Sequence, residues 1–217
     1  MDLLPPVTDR RQRRTRSAVQ SAFLALIAET PFDDLTVDEI AARADVARAT
    51  FYSHYRDKNV LLRATAVDLA TQLTERIAAV APRHGDDSYS GRGLVEIFRH
   101  ASEHPALYRL VLDGAAGGLP RAELARVLRE FVDVLFAGLR EGVAARPAAD
   151  QSLVATAFVS AVLGVLHAWI AGDLPGEPET LGPDLIRTQV AGLSWALSLP
   201  AGALPFRTQE DTAAAAG

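Results

Sequence analysis

The sequence contains no cysteine, and Lys58 is the only lysine among its 22 basic residues. A chain without cysteine has no disulfide framework, no thiolate zinc site and no cysteine nucleophile. Aromatic residues make up only 6% of the chain, and no segment alternates between apolar and polar residues over the length of a strand. With 49% apolar and 23% charged residues, the 217-residue chain nevertheless has the composition of a folded globular protein.

The motifs of common catalytic and metal sites are also missing. The sequence has no glycine-rich phosphate loop, no His-Glu-x-x-His and no Gly-x-Ser-x-Gly. Only His100 and His104 share the i, i+4 spacing of two ligands on one helix, and Pro105 directly after them favours solvated histidines at a helix end. We therefore predict no catalytic residue, no metal site and no cofactor, and we expect that the protein is not an enzyme.

One segment is long and apolar enough to raise the question of a membrane span. Residues 153–171 carry no formal charge, over about the length that crosses a bilayer. The segment contains several polar and small residues, however, and Asp150 and Asp173 at its ends give no basic bias that would set an orientation. We expect a helix buried between other helices and no membrane span. Because residues 1–30 show no apolar signal run, we expect a soluble cytoplasmic protein.

Apolar residues recur at helical spacing along the whole chain, as Val19, Phe23 and Leu26 do near its start. Thr36 and Glu39 form a capping box, which predicts a helix that begins directly after Thr36. The pattern predicts an all-α fold, with helices at about 9–29, 37–44, 47–54, 58–81, 92–103, 105–113, 120–145, 151–172 and 183–199, the last with Pro183 in its first turn.

The feature most specific to function is a pair of short helices joined by a tight turn. Residues 37–44 and 47–54 form the pair, Asp45-Val46 is the turn, and a longer helix flanks each side, which is the helix-turn-helix arrangement. A basic cluster without any acidic residue precedes it, formed by Arg10, Arg11, Arg13, Arg14 and Arg16. Together these features predict a DNA-binding segment.

Helical phase divides the second short helix into a core face and a DNA face. Phe51 and Tyr55 point to the core, which turns Ala49, Tyr52 and Ser53 outward with Arg48 and Thr50 at the flanks. The small Ala49 lets the backbone approach the floor of the major groove. Arginine reads guanine through two hydrogen bonds, threonine contacts a thymine methyl or a phosphate, and Tyr52 and His54 donate to phosphate oxygens.

The segment from Thr36 to Leu62 resembles the tetracycline-repressor (TetR-type) family of regulators. The family pattern is Thr-x-x-x-Ile-Ala, then Ala-Gly-Val-Ser-x-Gly-Thr-Phe/Leu-Tyr-x-His/Tyr-Phe, then Lys-Glu-x-Leu, and the match covers about residues 10–65. The chain departs from this pattern at Asp45, Ala47 and Ala49, where the family has glycine, serine and glycine. The pattern treats Tyr55 as a core residue.

This resemblance implies roles for individual residues of an N-terminal, three-helix DNA-binding domain. Arg48 and Thr50 contact base edges, and Arg14 with the other arginines at 10–16 reaches the flanking backbone or the minor groove. The implied phosphate contacts are Thr36, Tyr52, His54 and Lys58.

The rest of the chain resembles the ligand-sensing and dimerising domain of the same family only loosely. We predict a DNA-binding domain at 9–63, a larger helical domain at 64–200, and flexible tails at 1–8 and 201–217. Packing inside one chain explains the small and apolar stripes of the last two helices about as well as an interface does, but DNA reading by paired helices favours a homodimer on a palindromic operator in double-stranded DNA. The stripes are Ala157, Ala161, Gly164 and Ala168, and Ile186, Val190, Leu193 and Leu197.

The second domain also contains the candidates for a ligand pocket. They are apolar with few hydrogen-bonding groups, which favours a hydrophobic or aromatic small-molecule effector, although simple core packing explains each of them equally well. The candidates are Phe98, Tyr108, Phe131, Phe158, His167 and Trp169. The sequence thus predicts a repressor that a ligand releases from its operator. The alternatives are a DNA-binding regulator without a small-molecule ligand, and an all-α enzyme or carrier.

Overall fold

The structure is a computed structural model and describes residues 7–80, 91–140, 143–196 and 198. The described residues contain α-helices, one short 3-10 helix at Ala115–Gly118 and no strand, so the predicted all-α class is confirmed. The helices are α1 (Val7–Glu29), α2 (Val37–Arg43), α3 (Arg48–His54), α4 (Lys58–Val80), α5 (Arg92–Glu103), α6 (Pro105–Leu112), α7 (Leu119–Leu139), α8 (Gln151–Ala171) and α9 (Pro178–Ala196).

The described residues form two compact units. Residues up to Asp68 together with His104–Arg121 make the first unit, and Leu69–Glu103 with the residues from Ala122 onward make the second. The predicted domain boundary after residue 63 stays a prediction. Of the expected tails, Val7 and Thr8 already belong to α1, and the remaining residues of 1–8 and 201–217 lie outside the described residues.

In the first unit, α1 packs against α2 and α6, and α2 packs against α3. Phe23, Ile40 and Phe51, one from each of the first three helices, are fully buried. Burying a phenylalanine side chain stabilises a fold by about 1.5–3 kcal/mol. Helices of seven residues, such as α2 and α3, do not form stably in isolation. Packing of α2 against α1 and of α3 against α2 therefore holds them.

The start of α2 and the turn after it follow from local chemistry. The Thr36 backbone N–H donates to Glu39 Oε2 at 2.8 Å, and the Glu39 backbone N–H donates to Thr36 Oγ1 at 3.2 Å, which confirms the capping box. Asp45 has φ 53°, the left-handed conformation in which aspartate and asparagine are tolerated best after glycine. Aspartate at the family's glycine position therefore preserves the sharp turn between α2 and α3.

The last helix begins five residues earlier than the sequence predicts. Pro178 occupies the first turn of α9, the N–H groups of Thr180 and Leu181 donate to Glu177 O at 3.0 and 2.9 Å, and Pro183 lies inside the helix. The predicted start at Pro183 is therefore wrong. A proline this close to the helix start removes only one early backbone hydrogen bond, so the helix continues through it.

Gly182, directly before Pro183, lies where α9 packs most closely against α5. A Cβ atom on Gly182 would lie 2.8 Å from the backbone nitrogen of Val95 in α5, closer than side chains pack. Glycine is therefore needed for the close approach of α5 and α9, which form the main helix–helix contact of the second unit. Arg99 of α5 reinforces this contact with an ion pair to Glu179 of α9 at 2.9 Å.

The predicted helix at 120–145 is too long. In the structure α7 ends at Leu139, and residues 143–150 are irregular. Pro147 disfavours helical geometry at the residue before it. Asp150 then caps α8, with its side chain accepting a hydrogen bond from the Leu153 N–H at 3.0 Å.

The chain buries only one face of the long apolar helix α8. Phe158, Val162 and Leu166 are buried, whereas Leu153 is 65% exposed and Gly164 also lies on the surface. By length and composition α8 is the one helix among the described residues that is long and apolar enough to cross a membrane. The expectation of a helix buried between other helices holds for one face of α8, since 33% of its apolar stretch is buried within the single chain.

Candidate nucleic-acid interface

The second helix of the helix-turn-helix presents one face to its core and the other to solvent. Phe51 is fully buried and Tyr55 is almost so, which confirms the predicted core face. Ala49, Tyr52 and Ser53 are exposed, as helical phase predicts. Ala47 precedes α3 without any side-chain hydrogen bond to the helix, so this helix start lacks the cap that serine would give.

Arg48 belongs to a small exposed cluster on this outer face. Its Nη1 atom donates to Asp38 Oδ2 at 2.9 Å, its Nη2 atom donates to the Tyr52 hydroxyl at 3.4 Å, and its guanidinium lies 5.6 Å from the centre of the Tyr52 ring. The Tyr52 hydrogen bond and the Asp38 charge raise the pKa of Arg48 further. Because both partners are exposed, the ion pair adds little stability, and its main effect is to orient Arg48.

Asp38 is the part of this cluster that sequence reasoning missed. Its exposed carboxylate lies beside the face that is expected to contact DNA, where its charge would oppose phosphate, and it forms an ion pair with the guanidinium that is expected to read a base. No local pattern singles it out, because Glu39 stands beside Asp38 and Arg48 lies ten residues further along the chain.

Two of the predicted phosphate contacts, Thr36 and Lys58, already have internal hydrogen bonds. The Thr36 hydroxyl donates to Glu39 Oε2 at 2.7 Å. The Lys58 ammonium donates to the carbonyl oxygens of Phe32, Asp33 and Leu35 at 2.8, 2.7 and 2.9 Å. An ammonium group has three N–H donors, and in Lys58 all three donate to carbonyl groups of the loop between α1 and α2.

We expect Lys58→Met to lower the thermal stability of the protein. Methionine keeps the length of the stem but leaves three carbonyl groups without the ammonium, and a hydrogen bond to a charged group contributes about 1.5–3 kcal/mol. For a chain of this size, that loss lowers the melting temperature by roughly 3–12 °C. Differential scanning calorimetry measures it.

The matched control is Arg56→Met, which removes the same charge from an exposed side chain two residues earlier. Equal melting temperatures for the two variants would show that the ammonium of Lys58 does not hold the loop.

The other predicted DNA contacts are accessible. Arg14 is exposed on α1, and Thr50 and His54 are half-buried at the edge of α3. Along with Arg48, Ala49 and Tyr52, these residues lie in the first unit. The structure thus brings the predicted DNA-binding residues into one unit, with the outer face of α3 exposed.

The six ligand candidates are divided between the two units. Tyr108 belongs to the first unit, and the other five belong to the second. Within the second unit, the rings of Phe98 and Trp169 meet edge to face with centres 5.3 Å apart. His167 is half-buried on α8.

Two further candidates fill helix contacts of the second unit. The ring of Phe131 lies over Gly93, where a Cβ atom would come within 2.9 Å of it. Phe158 meets Phe136, a residue that sequence reasoning did not single out, with ring centres 6.3 Å apart.

Of the histidine pair, His100 is fully buried in α5 and His104 lies between α5 and α6. The expectation of two solvated histidines is therefore wrong for His100. Among the described residues, no group of three histidine, aspartate or glutamate side chains is placed to hold a metal ion.

Comparison with known proteins agrees with this architecture. Residues 21–65 match the family model described as bacterial regulatory proteins of the tetR family, and residues 94–193 match the tetracyclin repressor-like C-terminal domain. The HTH-type transcriptional regulator BetI of Cronobacter sakazakii is 28% identical over 186 residues, which cover 82% of this chain and 91% of BetI.

Solved structures share the fold. A tetR-family transcriptional regulator from Streptomyces coelicolor aligns with a TM-score of 0.65 at 20% identity, over 84% of this chain and 82% of that one. The transcriptional regulator FadR from Bacillus subtilis, solved in complex with stearoyl-CoA, aligns with a TM-score of 0.63 at 18% identity, over 81% of this chain and 98% of FadR. The two family models together span both the helix-turn-helix and the helical domain after it, and the chain belongs to the TetR family of DNA-binding transcription regulators.

Proposed function

We propose that this regulator is a homodimeric repressor that a small hydrophobic or aromatic ligand releases from a palindromic operator. The observation that carries the proposal is the exposed outer face of α3, with the basic cluster of α1 in the same unit. A free helix face beside arginines fits the major groove and the flanking phosphates of double-stranded DNA. The family implies a location in the cytoplasm, where the operator lies.

In the proposed complex, Arg48 and Thr50 contact base edges and Ala49 lets the helix backbone approach the groove floor. Because Asp38 already orients Arg48, the guanidinium exchanges an exposed ion pair for a pair of hydrogen bonds to guanine. When the base is guanine, this exchange costs little free energy. On a wrong base Arg48 keeps its ion pair but gains no pair of base hydrogen bonds, and this difference gives the specificity.

Phosphate contacts supply most of the affinity in this proposal. Tyr52, His54 and Arg14 have accessible side chains for direct contact. Thr36 and Lys58 would give up internal hydrogen bonds to do the same, so we propose that they fix the helices and that Lys58 adds positive charge near the backbone. Operator binding is accordingly expected to weaken as salt rises.

The proposed dimer uses the exposed face of α8. Leu153, Ala157, Ser160 and Gly164 lie one or two turns apart on this face and carry no charge. Small residues permit close approach of a second helix, and a second copy of the same face is self-complementary by two-fold symmetry. Of the apolar stripe on α9, Ile186 is buried, and the side chains of Val190, Leu193 and Leu197 lie outside the described residues.

The proposed ligand site lies among the apolar aromatics of the helical domain. Phe98, Phe131, Phe158, His167 and Trp169 belong to the second unit, which holds the proposed site, whereas Tyr108 belongs to the first unit. FadR from Bacillus subtilis, which shares the fold, was solved with stearoyl-CoA. A ligand that binds one arrangement of the helices more tightly than another shifts the protein toward the arrangement it prefers, and so changes operator affinity.

Selection of bound fragments from the source genome tests the DNA part of the proposal. The full chain is mixed with sheared genomic DNA, and the retained fragments are sequenced. We expect an inverted repeat to be enriched. Retention of no fragment above background would favour the alternative of an all-α enzyme or carrier.

The ligand part is tested on the selected operator. Fatty acyl compounds, aromatic acids and polar metabolites are titrated into the complex, and the melting temperature of the protein is recorded in parallel. Release by an apolar compound supports the proposal. Release only by a polar or charged metabolite contradicts the proposed pocket, and release by none favours a regulator without a small-molecule ligand.

A further inference from the structure

Asp38 places a negative charge beside the face of α3 that is expected to contact DNA. Its Oδ2 atom accepts a hydrogen bond from Arg48 Nη1 at 2.9 Å, and both side chains are 62% exposed, so the pair is accessible to a duplex. Phosphate repels a carboxylate, which therefore weakens DNA binding unless it contacts a base. The start of α2 does not need this charge, because Glu39 already supplies an acidic residue in the first turn and closes the capping box.

The carboxylate needs a new hydrogen-bond donor when Arg48 turns toward a guanine. In the free protein the guanidinium donates to Asp38 and to the Tyr52 hydroxyl. Contact with guanine takes the guanidinium away from Asp38 and leaves two carboxylate oxygens that only accept hydrogen bonds. A donor on the DNA restores the lost bond and offsets the repulsion from phosphate.

The chemistry of the major groove decides which base supplies that donor. Guanine and thymine present acceptor atoms there, and adenine presents its amino group beside the acceptor N7, whereas cytosine presents the N4 amino group alone. Base pairs are stacked about 3.4 Å apart. The carboxylate lies 2.9 Å from the guanidinium, so the base within its reach belongs to the pair next to the guanine.

We propose that Asp38 is a specificity-determining residue, whose carboxylate accepts a hydrogen bond from the N4 amino group of a cytosine next to the guanine that Arg48 contacts. The inference rests on the proposed function and deepens it, because it names two neighbouring base pairs of each half-site. Thymine or guanine in place of this cytosine is rejected, since the major-groove oxygen of either base opposes the carboxylate. The charge of Asp38 thus lowers the affinity for unrelated DNA and keeps the affinity for the operator.

Asp38→Asn tests the inference with a side chain of the same shape. An amide both donates and accepts, which fits N7 and N6 of adenine, so we expect the preferred base next to the guanine to change from cytosine to adenine. The amide oxygen still accepts from Arg48, so the preference for guanine should remain. Affinity for the wild-type operator is expected to fall about tenfold, and affinity for unrelated DNA to rise. Selection from a randomised operator library and anisotropy titrations measure these changes.

Asp34→Asn is the matched control. It removes the same charge from an exposed residue of the α1–α2 loop, four residues before Asp38. We expect its base preferences to equal those of the wild-type protein. The melting temperatures of both variants should stay close to the wild-type value, because the ion pair of Asp38 with Arg48 is exposed and adds little stability.

A modified operator tests the amino group on the DNA side. Replacing the cytosine with 2-pyrimidinone removes the N4 amino group and keeps the ring. The wild-type protein is expected to lose about tenfold in affinity, and Asp38→Ala is expected to bind both operators equally. An equal loss for the wild-type protein and for Asp38→Ala would show that the amino group does not contact Asp38, and would overturn the inference.

The library selection separates the inference from a role of Asp38 in orienting Arg48 alone. A change of preference to adenine beside a retained guanine supports the inference. If Asp38→Asn broadens the preference only at the guanine, Asp38 merely orients Arg48, and if it changes no preference, Asp38 does not face the bases; either result overturns the inference and leaves the proposed function standing. A wild-type chain that enriches no genomic fragment contradicts the proposed function and the inference with it.

Discussion

Gly164→Leu is expected to prevent two copies of the chain from pairing and thereby to abolish operator binding. A Cβ atom on Gly164 meets no atom within 4 Å in the single chain, so leucine does not disturb the fold of the subunit. In a dimer formed through α8, the substitution occurs twice at the closest approach. Overpacking costs about 1–3 kcal/mol per site, and two sites raise the dissociation constant of the dimer by roughly 30-fold to 10⁴-fold.

Sedimentation velocity at several concentrations measures the association, and anisotropy with the selected operator measures DNA binding. Ala122→Leu is the matched control, because it adds the same side chain at an exposed position of α7 outside the α8 face. Helix content by circular dichroism should be the same for both variants. A Gly164→Leu protein that remains dimeric, or a wild-type monomer that binds the palindrome tightly, would contradict the proposed architecture.

Arg48→Ala is expected to relax the base preference at one position of each half-site. A bidentate contact between arginine and guanine contributes about 1–3 kcal/mol of discrimination, so two half-sites together lose about 2–6 kcal/mol. Affinity for unrelated DNA should fall much less, since Arg48 is only one of several positive charges near the duplex. Selection from a randomised operator library, followed by titration of the preferred sequences, measures the change.

Arg43→Ala provides the control for this substitution. Arg43 is also exposed and also forms an ion pair at 2.9 Å, with Glu29, but it is not among the residues expected to contact DNA. Its base preferences should match those of the wild-type protein. Equal losses on operator and random DNA for Arg48→Ala would assign this arginine to the phosphate backbone instead of the bases.

Local patterns in the sequence were sufficient to predict the helix-turn-helix. Thr36 and Glu39 interact within one turn, Asp45 sets its own backbone conformation, and the burial of Phe51 follows from helical phase. Each of these features depends on neighbours only a few residues away. For that reason α2, the turn and α3 begin and end close to their predicted positions.

At Gly182 and Pro183, in contrast, the local pattern gave a wrong prediction for the start of α9. In the sequence they resemble a helix boundary, but Gly182 is required by the backbone of Val95, which lies far away in the chain. No local pattern contains that contact. The start of α9 was therefore set by the packing of two helices, which compensates for an internal proline.

For Lys58 and Tyr55, too, the sequence determines some properties of a side chain and the tertiary structure decides others. The sequence by itself determined the all-α class, the DNA-binding segment and its family, because periodicity, capping and motif spacing are local and repeat along the chain. Only the tertiary structure decided that the ammonium of Lys58 bonds to three carbonyls of the α1–α2 loop, and that the Tyr55 hydroxyl is buried beside an arginine-lined groove. The physical reason is that hydrogen-bond partners and burial depend on which distant segments meet in space, and a side chain's chemistry specifies what it can bind but not which group it reaches.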